Sequence, residues 1–246
     1  MKGVLPTLLL AFSTSLFVTG CSTQSQSTTS PSIKHQKQPY TSVSCATKNP
    51  PLSPVKETAS KATLTRYHRQ RWKVAPAPAI VPQKTYIADV YTTAGTFSIR
   101  LFSKWAPTAV NNFAFLANHH FYDGDTFFRV VKGYMVQTGD PLQNGTGGPG
   151  YTWPDELPPH EAYKEGIVAM ANRGPNTNGS QFFIVTAHDA QILDQNPNYT
   201  QFGQVIHGMS VVLKISDARV TYNPLMGELS KPVNPVHIVH IVIRTC

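Results

Sequence analysis

The chain has 246 residues, enough for one domain of ordinary size with an extension or for two small ones. Its 41% hydrophobic and 14% charged content, with 20 Pro and 16 Gly, suits a turn-rich, strand-rich globular protein. The formal net charge of +8 is unevenly placed: between residues 22 and 80 nine Lys and Arg face Glu57 alone, whereas residues 81–246 carry eleven against twelve Asp and Glu. The basic character belongs to one segment, which argues against a folded nucleic-acid-binding domain.

In chain order, "MKGVLPTLLLAFSTSLFVTGC" has one lysine, an apolar stretch and small residues before Cys21. This is the pattern of a secretory signal over residues 1–20, too short for a comfortable spanning helix. "VTGC" resembles the lipobox of bacterial lipoproteins. The resemblance implies that the mature chain begins at a lipid-modified Cys21 and is anchored on the extracytoplasmic side of a bacterial membrane, in the cell envelope. Several acyl chains hold stably where one would not. The alternative is ordinary secretion with a chance cysteine.

Residues 21–82 are rich in Ser, Thr, Gln, Lys and Pro and have almost no apolar periodicity, the signature of a disordered tether. "APAPAIVP" favours extended polyproline conformation and suits a stiff spacer. About 60 flexible residues reach roughly 40 Å, which holds a domain clear of a bilayer. The basic run Arg66 to Lys73 suits contact with anionic lipid or cell-wall polymer, or simply a solvated tether. With Cys21 acylated, Cys45 and Cys246 are the remaining thiols, and the sequence leaves open whether they pair.

From residue 83 the pattern changes. "TYIADVYTTAGTFSIRLF" alternates into two strands around Ala94-Gly95. "APTAVNNFAFLANHHF" gives a helix with Pro107 in its first turn and Val110, Phe113, Phe115 and Leu116 on its apolar face. "TFFRVVKGYMVQTGD" gives a hairpin, in which Phe127, Arg129 and Val131 are expected on one face of the first strand and Met135 and Gln137 together on the second. A Gly-rich loop "NGTGGPGYTW" follows, then strands "GIVAMAN", "SQFFIVT" and "QFGQVI", a helix "GMSVVLKISDA" and a closing strand "HIVHIVIRT". About eight strands and two helices result. The nine His show no metal spacing, and His119-His120 is placed at a helix end. The glycines are no phosphate cradle, because no helix and no P-loop lysine follow them. No cofactor, metal or nucleic acid is expected.

"FFRVVKGYMVQTGDP" together with "ANRGPNTNGSQFFI" resembles the two signature stretches of cyclophilin-type peptidyl-prolyl isomerases, and the likeness runs from about Lys84 to Cys246. It implies a mainly β fold over residues 83–246: a closed eight-stranded antiparallel barrel capped by two α-helices. It also implies a monomer that binds proline-containing polypeptides and isomerises X–Pro bonds in exported or envelope proteins, assisting folding.

The residues suit that chemistry. Rotation about an X–Pro bond breaks amide resonance against a barrier of about 18–20 kcal/mol, with no bond to carbon made or broken. A site need only bind the twisted amide better than either planar form. The twisted proline nitrogen regains its lone pair, so a fixed guanidinium beside it stabilises that state selectively. Arg129, in the middle of an apolar strand, is the candidate catalytic donor, a role that the resemblance also implies; the alternative is simple pairing with an acid elsewhere. By the same resemblance Tyr134, Met135, Gln137, Ala171, Asn172, Gln181 and Phe183 surround the proline pocket, with Leu193 from the following loop and Tyr199 as a further wall. Phe183, Met135 and Leu193 grip the ring, Asn172 pairs with substrate backbone, and Gln137 bonds Arg129 or a substrate carbonyl. Asn176, Asn178 and Gly179 form turns.

The chain departs from the family at Phe128, Tyr134 and Thr138, where His, Phe and Gly are common, and at Ile192, where many members carry Trp. Loss of that indole removes contact area and an N–H donor, so weak binding of cyclosporin is expected. The competing function class is a non-catalytic module that captures proline-containing segments; Arg129 beside Met135, Gln137 and Phe183 favours the enzyme.

Overall fold

The computed structural model describes residues 70–187, 191–195 and 197–246, and the side chains of Gln191 and Ile192 are not among what it describes. The signal segment, Cys21, most of the tether and Cys45 therefore lie outside the described residues. So does the question of what the Ile192 side chain contacts.

Alternation builds the first layer. In β1 (Tyr86–Thr92) and β2 (Gly95–Leu101) the residues Ala88, Val90, Phe97 and Ile99 are fully buried, while Asp89 and Ser98 lie on the other face. Arg244 donates from Nε and Nη2 to the Asp89 carboxylate at 2.5 and 2.8 Å, fastening β10 (Ile238–Thr245) across β1. The remaining strands are β3 (Arg129–Val131), β4 (Met135–Thr138), β5 (Ile167–Met170), β6 (Phe182–Val185) and β7 (Gln201–His207). All eight form one antiparallel sheet in the order β10-β1-β2-β7-β5-β6-β4-β3.

This sheet is a curled half-barrel, not the closed barrel expected. Its end strands β10 and β3 are not paired by a ladder. Among the described residues the bridge Thr126↔His237, backbone bonds between residues 124–127 and 236–238 and the hydrogen bond between His237 Nδ1 and Gly124 O span that side, and β3 has only three residues. The same interruption corrects a second expectation. Phe127 is fully buried in the main core with Val130, whereas Arg129 faces outward; residues 127 and 128 lie outside the ladder, so strict alternation does not run through them.

Helix α1 (Pro107–Asn118) fills the concave side of the sheet. Phe113 lies 5.2–5.5 Å in ring centroid from Tyr122, Phe182 and Phe202. Pro107 occupies its first turn, and the Glu156 carboxylate accepts from Thr108 N and Ala109 N at 2.8 and 2.9 Å, a charged cap delivered from 47 residues away. A single turn α2 (Gln191–Asp194) and helix α3 (Met209–Ser216) complete the helices among the described residues. A second sheet, the hairpin β8 (Val220–Asn223) and β9 (Glu228–Pro232), was not anticipated; β9 packs beside β3.

Residues 70–82, which composition places in the tether, lie against the domain. The Asn111 side chain, on α1, accepts from Ala79 N and Ile80 N at 2.8 and 3.2 Å and donates to Ala77 O at 3.1 Å. Trp72 sits among Phe115, His119 and Phe121 with centroids 5.2–6.0 Å away, and its backbone N–H donates to Pro149 O at 2.8 Å. Cys246 is disulfide-bonded, to a partner outside the described residues, and its N–H donates to Thr85 O.

Asn111 replaces the backbone pairing that an irregular strap lacks. Asn111→Ala is therefore expected to cost about 1–3 kcal/mol and to speed hydrogen exchange at the Ala79 and Ile80 amides well beyond the change in the sheet. Unchanged exchange at those amides would show that the strap is held by other contacts.

Candidate functional site

Strand register places the site. Arg129 pairs with Gln137 across β3 and β4, Gln137 with Phe183 across β4 and β6, and Phe183 with Ala169 across β6 and β5. Directly opposed residues share a face, so Arg129, Gln137 and Phe183 form a row on the convex side of the sheet. The next row is Val131, Met135 and Val185. A second, smaller apolar cluster covers this side: Phe102, Met135, Tyr163, Ile167, Ala169, Phe183, Val185 and Leu193, with Val131, Tyr134, Ala171 and Tyr199 packed against it. Its outer surface is the floor of a groove of about 630 Å³.

All ten expected pocket residues line this groove: Arg129, Tyr134, Met135, Gln137, Ala171, Asn172, Gln181, Phe183, Leu193 and Tyr199. Tyr199 stands edge-on to Phe183 at 5.3 Å and 88°. The loop that carries Tyr199 is tied down from below, since Tyr163 donates its hydroxyl to Tyr199 O at 2.7 Å and its N–H to Asp194 Oδ1 at 2.9 Å. Burial raises the Tyr134 hydroxyl pKa, Tyr199 adds to the rise and Arg129 opposes it, so Tyr134 stays a neutral donor at physiological pH. The Asn172 amide donates to Asn198 O at 2.9 Å, so part of its capacity is spent on the loop.

Arg129 answers why a strand of core formers holds a cation. Its guanidinium pairs with an acid that sequence reasoning missed: Nε and Nη2 donate to the two oxygens of Glu228 at 2.6 and 3.1 Å. Nη1 donates to Gln137 Oε1 at 3.0 Å, Gln137 Nε2 to Gln181 Oε1 at 3.0 Å, and Gln181 Nε2 to Gly147 O at 2.8 Å. A continuous polar chain thus runs from the β8–β9 hairpin to the Gly-rich loop. The expectation set pairing with an acid against a place in the pocket; the guanidinium pairs with Glu228 and also lines the groove. Three of its five N–H groups are engaged and its side chain remains about a quarter exposed, so it still presents donors to the groove. The pair holds Glu228 below the usual carboxylate range, chiefly through its hydrogen bond to Arg129. No local signal marks Glu228, which lies 99 residues from Arg129.

The Gly-rich loop is organised by a carboxylate. Asp140, fully buried, accepts from Leu142 N, Asn144 N and Gly145 N at 2.5–3.0 Å. A Cβ on Gly147 would fall 1.9 Å from Asp140 Oδ1, so a side chain there would break that core. No cluster of metal-ligating side chains occurs among the described residues.

Residues 87–243 match the model of the family described as cyclophilin type peptidyl-prolyl cis-trans isomerase/CLD. The Mycobacterium tuberculosis (strain ATCC 25618 / H37Rv) peptidyl-prolyl cis-trans isomerase A is 39% identical over 180 residues, covering 66% of this chain and 94% of that protein. The Gallus gallus peptidyl-prolyl cis-trans isomerase-like 3 is 38% identical over 159 residues, covering 63% and 94%. In Rhizopus delemar the isomerase cyp15 is 40% identical over 161 residues, which cover 64% of this chain but 24% of that longer protein. A crystal structure of a Cryptosporidium parvum cyclophilin-type isomerase superposes with a TM-score of 0.58 at 32% identity, covering 65% of this chain and 98% of that one. Another structure of it was determined in the presence of the dipeptide Ala-Pro. The family match, the half-barrel and the groove that gathers the two signature stretches agree: this chain belongs to the cyclophilin-type peptidyl-prolyl cis-trans isomerases.

Proposed function

We propose that the protein is a lipid-anchored isomerase that accelerates X–Pro rotation in exported or envelope proteins and so assists their folding. The observation that carries the catalytic part is Arg129, a strand-held guanidinium beside an apolar pocket with donors to spare. The pyrrolidine ring packs on Phe183, Met135 and Leu193, with Tyr199 as a wall. The carbonyl before the proline turns while the ring stays gripped. As the amide twists, its nitrogen becomes pyramidal and its lone pair meets a guanidinium N–H. That bond exists only in the twisted state, so it lowers the barrier without tightening the ground state.

Glu228 acts as a positioning residue. A free arginine side chain has about 1.5–2 kcal/mol of rotamer entropy to lose, and the bidentate carboxylate removes that freedom in advance. The charge it cancels is the smaller effect, because a donor displaced by 1 Å loses most of its bond. The supporting observation is the two-point bond to Nε and Nη2, which directs the other edge of the fork to the groove.

In proline-isomerisation assays on the full chain, Arg129→Ala is expected to lower kcat/KM about a hundredfold or more. Glu228→Ala is expected to lower kcat about tenfold with KM little changed, a split that a merely destabilised fold does not produce. Peptide binding with no isomerisation by the unmodified chain would instead favour the capture module. A rise in kcat in Glu228→Ala would make charge cancellation the dominant effect and sink the positioning role.

The pair also sets an acid limb. A depressed folded pKa means that the pair is present above the unfolded carboxylate pKa and is lost as pH falls through the lower folded value. Isomerase activity is therefore expected to hold steady from neutral pH down through the ordinary carboxylate range and to fall only below it. In Glu228→Gln that limb should vanish; a limb of the same shape would assign it to another group.

The anchor rests on "VTGC" behind an apolar run and on the basic Ser/Thr/Pro-rich segment that follows. Among the described residues no helix is long and apolar enough to cross a membrane. The protein is expected to partition with membranes, and Cys21→Ser to release it or leave it unprocessed. Intact mass showing a cleaved, unacylated N-terminus would refute the anchor.

A further inference from the structure

The groove extends past the proline pocket along the Gly-rich loop, and there its lining includes Arg71 and Arg173 together with Gly145, Thr146 and Tyr151. Arg71 is foreign to the family match, which begins at Ile87; it arrives on the N-terminal strap. Trp72 fixes that strap within one residue of Arg71, through its ring contacts with Phe115, His119 and Phe121 and its bond to Pro149 O. Gly150 makes the approach possible: its φ is +101°, and a Cβ there would lie 2.6 Å from Trp72 O and 3.2 Å from the Arg71 side chain. Arg173 is steadied from the other side, donating Nη2 to Gly145 O at 2.6 Å.

The charges do not balance. Among the described residues no Asp or Glu lines the groove. Arg129 is matched by Glu228, but among the described residues neither Arg71 nor Arg173 has a carboxylate within ion-pair distance. Two arginines thus line one concave surface in a domain whose residues 81–246 carry slightly more acidic than basic side chains. Such an arrangement attracts anionic groups and focuses their approach.

We propose that the strap completes the substrate groove, and that Arg71 with Arg173 forms a basic subsite selecting X–Pro segments with an acidic side chain near the proline. This rests on the isomerase reading and names the substrate class of that same site. A carboxylate reaching the subsite meets two arginines whose guanidinium groups suit carboxylate recognition. Both arginines are exposed, so the gain is modest, sensitive to salt and expressed mainly in KM.

The experiment compares pairs of short X–Pro peptides that differ only by Glu or Gln, scanned through the positions on either side of the X–Pro unit, with exchange measured by NMR on the full chain. At least one Glu peptide is expected to show a kcat/KM three- to tenfold above its Gln partner at low salt. The ratio should fall toward one at about 0.5 M salt. It should invert in Arg71→Glu/Arg173→Glu and survive in Arg71→Lys. Since each readout is a ratio within one protein, a partly unfolded variant does not mimic it. Equal turnover of Glu and Gln peptides at every position, or a ratio indifferent to the double reversal, overturns the subsite alone. No turnover of any peptide overturns the isomerase reading and the subsite with it.

Discussion

The guanidinium of Arg129 is the constraint around which the rest of this fold is arranged. A cation on a strand of core-forming residues is tolerable only if its charge is met and its donors are used, and the outer face of the sheet supplies both. Glu228 meets the charge through two bonds, and Gln137 takes a third donor. The two-point bond to Glu228 fixes the plane of the fork, and Gln137 adds a third bond from another direction. The Arg129 side chain stays partly exposed in the groove that Phe183 and Met135 also line.

Support for that one side chain extends well beyond its neighbours. Gln137 is held by Gln181, and Gln181 by the carbonyl of Gly147. Gly147 stays in place because the loop wraps the buried carboxylate of Asp140. At the other end Glu228 belongs to a hairpin that pairs with no strand of the main sheet and reaches the site only by packing beside β3. The polar chain therefore joins elements distant in sequence on a rigid apolar floor, which suits a reaction that needs placement and not proton transfer.

The open seam of the half-barrel and the docked strap share one physical origin. The sheet is too short at β3 to close on β10, and backbone groups there are satisfied by single bonds between irregular segments. The described part of the strap, residues 70–82, enters no ladder and is held by Asn111 and Trp72. Asn111 and Asn112 of α1 are buried for such reasons: Asn111 holds the strap, and Asn112 donates to Gly179 O while accepting from the Tyr151 hydroxyl.

Local chemistry in the sequence determined a great deal. Alternation marked the paired strands, Pro107 and the apolar spacing marked α1, and two long stretches carried the likeness from which all ten pocket residues were named. Those properties depend on neighbours a few residues apart, so they survive in a linear reading. The closed barrel and the face of Phe127 were misjudged, because ladder length and strand breaks depend on partners the segment does not contain. The hairpin β8–β9 was missed, and with it Glu228, whose meaning exists only when β9 lies against β3. Arg71 likewise looked like part of a solvated basic run until Trp72 found its cage of three rings. Pairing across 99 residues and docking of an irregular strap are set by packing and by which buried polar groups need partners. Those are properties of the folded whole, and only the tertiary structure decided them.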